Sequence, residues 1–219
     1  MTQMRAHPGL AWLLCFCTAC GSSQGPEPDN PLDGRGGGII AYCYQSLDLQ
    51  PQRIWIMNAD GSASRQVSHA TIGLNHHEWS PDARRLVVTG YDRVDAWSLY
   101  AMDADGGSFT RLTDQDDVED TEPAWPPDRA GIAFTSSGRD ARTGEIWVMK
   151  ADGTGRRRLS ADGVNAFGPR WSPDGSLIAF SSELPGPVLR TEVFVLNADG
   201  RGLRRLTTSA GNHISYNPA

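Results

Sequence analysis

The chain has 219 residues, a formal net charge of −6 and 39% hydrophobic residues, which suits one ordinary globular domain with a tail. Its 24 glycines and 14 prolines favour turns over long helices, and no amphipathic helix pattern follows the N-terminus. The chain is mildly acidic and its basic residues, almost all arginine, form no cluster that a repeat does not explain. That excludes a nucleic-acid surface, which needs a clustered basic face.

Residues 1–19 differ from the rest. Arg5 precedes an apolar run from Leu10 to Ala19, and Cys20 follows. A run of about ten apolar residues is too short for a bilayer, which takes about 20, and has the length of a signal-peptide core. The ending "CTAC" before "GSS" resembles a bacterial lipoprotein box. That resemblance implies a lipid on Cys20 as the first mature residue, although Cys17 stands where such boxes usually carry leucine. A plain secretory signal cut nearby is the alternative. On the lipoprotein reading Cys15 and Cys17 leave with the signal, Cys43 is the one free thiol, and the fold stands without a disulfide. Cys43 lies in the apolar run "GGIIAYCYQS", so a buried structural role is expected for it. Residues 20–38 follow as a Gly, Pro, Ser and acidic tether with almost nothing to bury. A flexible linker of about 18 residues reaches about 25 Å.

Residues 39–219 are built from a repeat. "IWIMNADG", "LYAMDADG", "IWVMKADG" and "VFVLNADG" place Asp60, Asp105, Asp152 and Asp199 at steps of 45, 47 and 47 residues. Trp79, Trp125 and Trp171 follow at steps of 46, and Tyr216 in "NHISYNPA" is a worn fourth copy 45 residues on. Each unit reads as an apolar run ("IIAY", "LVVT", "GIAF", "LIAF"), a variable loop, a second run and an Asp-Gly hairpin. An arginine-bearing outer strand comes next, which accounts for Arg156–Arg158, and then a strand entering the tryptophan. "SPDG" turns the chain back, with Asp82 and Asp174 in equivalent places.

Four short antiparallel strands per unit of about 45 residues form the blade of a β-propeller. The set "WSPDG", "IAF", "IWVM", "ADG" and "RRL" resembles the TolB-like β-propeller repeat family over essentially all of 39–219. The resemblance implies the fold. TolB carries six such units and a separate N-terminal domain, whereas four units stand here, so its partners do not carry over by name. The chain opens on an "IIAY" strand and closes on a tryptophan-type strand. The expectation is therefore a four-bladed ring sealed by pairing of the two ends, as a monomer; an open arc or a dimer completing a larger ring is the alternative.

Three residues before each tryptophan-type position stand His76, Glu122, Gly168 and His213. Strand alternation puts these on one side. If that side lines the channel, His76, Glu122 and His213 form a set suited to a divalent metal; a merely hydrated channel is the bland reading. His77 alternates away, and His69 ends an outer strand. The segment "DQDDVEDTE" adds Asp114, Asp116, Asp117, Glu119 and Asp120 at the same end, as a binding-face loop or simply a solvated one. The recurring Asp60, Asp82, Asp105, Asp152, Asp174 and Asp199, with Trp79, Trp125 and Trp171, read as structural. A catalytic group is needed once, and these recur.

No Gly-x-Ser-x-Gly elbow, phosphate loop or His-Glu-x-x-His occurs. The sequence therefore points to a non-catalytic binding propeller, lipid-anchored in the cell envelope, at the outer membrane. The partner would be an envelope protein or a peptidoglycan-associated one. The alternative is a metal-binding propeller, or a metal-dependent lyase or hydrolase, using His76, Glu122 and His213.

Overall fold

The computed structural model describes residues 38–45, 51–68, 72–93, 96–114, 117–128, 131–138, 143–161, 164–186 and 190–208. Cys20, Asp116, His213 and Tyr216 lie outside them, as do His69 and the terminal strand expected to seal the ring.

Among the described residues, fifteen strands build four antiparallel sheets. The first sheet holds β1 (Ile39–Tyr44), β2 (Arg53–Asn58) and β3 (Arg65–Gln66). The second runs β4 (Gly73–Trp79), β5 (Arg85–Arg93), β6 (Ala96–Asp103) and β7 (Phe109–Arg111). The third comprises β8 (Val118–Ala124), β9 (Gly131–Gly138), β10 (Gly144–Lys150) and β11 (Arg157–Arg158). The fourth comprises β12 (Asn165–Trp171), β13 (Leu177–Leu184), β14 (Arg190–Asn197) and β15 (Arg204–Arg205). Strands pair in chain order within every sheet, and the sheets are successive blades of a β-propeller.

The blades cohere through three apolar interfaces. Ala41, Ile54, Ile56 and Val67 of the first blade meet Leu86, Val88, Tyr100 and Met102 of the second. Val87 and Leu99 of the second meet Ile132, Phe134 and Met149 of the third. Ala133, Ile146, Val148 and Leu159 of the third then meet Ile178, Phe180 and Leu196 of the fourth. This explains the continuous apolar runs. In β9, Ile132 and Phe134 point to the preceding blade while Ala133 points to the following one, so both faces of the strand are buried. Trp79, Trp125 and Trp171 each sit in one of these interfaces, as packing residues. Trp171 also donates its Nε1–H to the Ala124 carbonyl of the preceding blade at 3.2 Å.

The turn aspartates cap backbone. Asp60, Asp105, Asp152 and Asp199 each accept the N–H two residues on, at 2.7–2.9 Å. The glycine of the pair, not the aspartate, takes the left-handed backbone: Gly61, Gly106, Gly153 and Gly200 have φ of 82–92°. In the "SPDG" turns, Ser80 donates its hydroxyl to Asp82 at 2.6 Å and Ser172 to Asp174 at 2.5 Å. Ala83 takes the glycine's place in the first of these, with φ 55°.

The outer strands are fastened by a second recurring device. The hydroxyls of Ser68, Thr113, Ser160 and Thr207 accept the N–H of Ile54, Leu99, Ile146 and Val193, all at 2.9–3.0 Å. Arg158 and Arg205 donate to Glu145 and Glu192 on the neighbouring strand at 2.8 and 2.7 Å. Outer-strand arginine thus serves the blade, as the repeat implied.

Candidate functional site

The three described strands that run into a tryptophan, β4, β8 and β12, share one irregularity. The register shifts between Asn75 and His77, between Thr121 and Ala124, and between Phe167 and Arg170. His76, Glu122 and Gly168 are the first residues of these β-bulges, where two residues oppose one and the strand re-aims its side chains. Simple alternation therefore does not orient this position; the bulge does. Gly168 adopts φ 63° and Glu122 φ 51°, a left-handed conformation costing a non-glycine residue about 1–2 kcal/mol. Pro123 and Pro169 complete the bulges, at unpaired positions where the N–H that proline lacks is not needed.

Glu122 is held from its own blade and from the one that follows. Its Oε2 accepts the Thr135 hydroxyl at 2.9 Å and the Gly168 N–H at 2.9 Å. The same N–H is shared with the Thr135 Oγ1 at 3.1 Å. One carboxylate oxygen thus stitches the third blade to the fourth.

One blade earlier the equivalent pair is His76 and Thr89, and the stitch is not made. His76 Nδ1 and Thr89 Oγ1 are buried and find no hydrogen-bond partner among the described residues. Burial lowers the His76 pKa below the ordinary histidine value, the Glu122 carboxylate pulls it up and Arg170 pushes it down. The ring is neutral at pH 7, and it lies within electrostatic reach of Glu122 and Arg170. The structure thus brings together two of the three residues expected to hold a metal, His76 and Glu122, and adds Arg170. Among the described residues no group of three or more His, Cys, Asp or Glu is arranged to hold a metal ion, and His213 lies outside them.

His77 points elsewhere. Its Nε2 lies 3.0 Å from the Ala41 carbonyl of the preceding blade and its Nδ1 3.5 Å from Cys43 Sγ. A carbonyl only accepts, so the proton sits on Nε2 and Nδ1 accepts the thiol. Burial, against the pull of the Ala41 bond, keeps this imidazole's pKa low. Cys43 is half-buried against the first interface, so the histidine and the thiol are blade cement.

The acidic segment divides. Asp114 and Asp117 are exposed, but β8 begins at Val118, so Glu119 and Asp120 are strand residues and not loop residues. Asp120 is buried and cannot belong to a binding face. Arg156 grips it at 2.5 and 3.1 Å and also donates to Ser136 at 2.7 Å. The guanidinium carbon stacks 5.1 Å from the Phe134 ring centroid and 4.7 Å from that of Trp147. Arg156 is thereby a buried ion-pair partner, unlike Arg157 and Arg158. Its register in the repeat, one residue ahead of the outer strand, gave no hint of this.

Sequence reasoning also passed over Thr89, Thr135 and Arg170. The readable signals were the hydroxyl ending "LVVT", "IAFT" and "IAFS", and the prolines following Glu122 and Gly168 inside a strand.

The profile of the TolB beta propeller domain family matches residues 36–218. The chain is 29% identical over 147 residues to the uncharacterized protein Atu1656 of Agrobacterium fabrum, covering 66% of this chain and 45% of that one. It is 38% identical over 85 residues to the Tol-Pal system protein TolB of Anaeromyxobacter dehalogenans, covering 38% of this chain and 18% of that one. The chain therefore spans less than half the length of these curated relatives. The crystal structure of TolB from Acinetobacter baumannii superposes with a TM-score of 0.64 at 22% identity, over 78% of this chain and 42% of that one. With the repeat, the blade sheets and the matching profile in agreement, the chain belongs to the TolB beta propeller domain family.

Proposed function

We propose that this chain is a lipid-anchored propeller of the cell envelope that acts as a non-catalytic protein-binding scaffold. Residues 1–19 serve as its signal, Cys20 bears the lipid, and residues 20–38 tether a monomeric body. The observation that carries the reading is the segregation of variation. Asp-Gly hairpins of one form recur in every blade, whereas the segments joining β1 to β2, β5 to β6, β9 to β10 and β13 to β14 differ in length, and Asp114 and Asp117 are exposed. Similarity to a Tol-Pal system protein supports an envelope protein, or one associated with peptidoglycan, as the partner. Two experiments test it. Labelling with an alkyne fatty acid is lost in Cys20→Ser, and affinity capture from envelope extract is weakened in Asp114→Lys/Asp117→Lys. Unchanged capture by that variant sinks the docking face.

A second reading has its own observation. A buried, unpartnered imidazole nitrogen at His76, next to a carboxylate held in left-handed backbone, suits a divalent metal completed by His213. Elemental analysis of the purified protein against His76→Ala/His213→Ala decides it: equal metal content in the two removes the site.

A further inference from the structure

The seam between the first two blades departs from the repeat twice at one contact. Opposite Ile54, Leu99, Ile146 and Val193 the four blades carry Cys43, Thr89, Thr135 and Ser181. Three of these are hydroxyls and one is a thiol. On the facing strand of the next blade, Pro123 and Pro169 follow the first bulge residue, and at the first seam His77 stands in their place. The two exceptions meet: Cys43 Sγ lies 3.5 Å from His77 Nδ1. Residue types that recur serve the blade, whereas this pair brings to one seam a chemistry that the others lack.

The imidazole is arranged as a ligand. The Ala41 carbonyl takes its Nε2–H at 3.0 Å, which fixes the ring and turns the Nδ1 lone pair toward the sulfur. A backbone carbonyl on the far nitrogen is the usual outer support of a metal-bound histidine. The spacing fits an ion held by both atoms. Bonds of about 2.3 Å to sulfur and about 2.0 Å to nitrogen, opened by about 110°, put the two about 3.5 Å apart.

The surroundings choose the ion. Ala41, Ile54, Leu74 and Val88 are buried in the cluster against which Cys43 packs, so the seam is apolar. Burial keeps the His77 ring neutral, and its nitrogen has no proton to lose on binding. An ion that displaces the thiol proton then meets one thiolate charge. A monovalent ion cancels that charge, whereas a divalent ion leaves a net positive charge in apolar surroundings. Thiolate and imidazole together favour soft ions, and a soft monovalent ion needs only the two protein ligands present here.

We infer that Cys43 and His77 bind one soft monovalent metal ion of the copper(I) class between the first and second blades, the thiol proton leaving to solvent as the ion takes its place. Cys43 is half-buried, so its sulfur is reached from outside. The site shares no residue with the reading built on His76, Glu122 and His213 and does not depend on it.

The test uses the full chain carrying Cys15→Ser, Cys17→Ser and Cys20→Ser, in which Cys43 is the remaining thiol. Anaerobic titration with copper(I) against a coloured copper(I) chelator is expected to show one equivalent held by the protein. Cys43→Thr, which restores the residue of the second and third blades, should weaken binding by about 100-fold, and His77→Gln by about 10-fold or more. X-ray absorption at the copper edge of the parent chain should show one sulfur and one nitrogen neighbour, a readout that does not rest on either variant folding. Failure to take copper from the chelator overturns the proposal. So does unchanged binding in His77→Gln, a spectrum with sulfur neighbours only, or zinc(II) held as tightly as copper(I).

Discussion

Arg156→Ala is expected to be the most damaging single change outside the apolar interfaces. Side chains at the Arg156–Asp120 pair are 13% and 2% exposed, so water cannot take over the carboxylate when the guanidinium goes. Removing one partner of such a pair costs about 3–5 kcal/mol, most of it from the charge left behind. Loss of the Phe134 and Trp147 stacking is included in that figure and not added to it. For a body of this size the cost corresponds to a fall of about 10 °C in Tm. Urea unfolding at pH 7 measures it directly, with the cycle Arg156→Ala, Asp120→Ala and the double variant isolating the pair. The coupling should be about 2 kcal/mol or more. Arg156→Lys should rescue little, because an ammonium cannot span both carboxylate oxygens and Ser136. Asp120→Leu/Arg156→Met should return close to wild type, since an apolar pair avoids the desolvation cost. A single-variant loss under about 1 kcal/mol, or a coupling near zero, would refute this account of a buried pair that needs both members.

Three further outcomes are expected. Glu122→Ala should cost about 1–2 kcal/mol in urea unfolding through the lost bonds to Gly168 and Thr135. Glu122→Gly should cost less, because it relieves the φ of 51°; the reverse order would show that the strain is not there. His76 and His77 have folded pKa values lowered from 6.5, so their neutral burial contributes stability above about pH 6.5 that is lost as pH falls toward those values. Melting midpoints between pH 7.5 and 5.5 should drop and should drop less in His77→Gln; a flat wild-type profile contradicts this. The Ser172 hydroxyl and the Ser176 N–H and hydroxyl hold Asp174 at about 2, against an ordinary 3.8. Its contribution is present above about pH 4 and disappears as pH falls through about 2. The stability gap between wild type and Asp174→Asn should therefore narrow over that range, and a constant gap would mean that the turn does not depend on the ionised carboxylate.

The sequence by itself determined the blade. Asp-Gly marks a hairpin because only glycine takes left-handed backbone freely, and Gly61, Gly106, Gly153 and Gly200 do so. The run around Ile132 marks a strand buried on both faces, and the period of Trp79, Trp125 and Trp171 sets one blade per unit. These are local or periodic constraints, and a linear string displays them. What needed the tertiary structure were the relations between blades. His76 and Glu122 share a position in the repeat, yet Glu122 is tied to Gly168 of the next blade while His76 keeps an unpartnered nitrogen. Asp120 looked like one more acid in a solvated loop, until Arg156, 36 residues on, reached across Trp147 and Phe134 to bury it. Leu159 and Leu206 are the same letter in the same motif, yet Leu159 is buried among residues of the fourth blade and Leu206 is exposed. A repeat fixes what each unit can bury; which neighbour does the burying is decided in three dimensions.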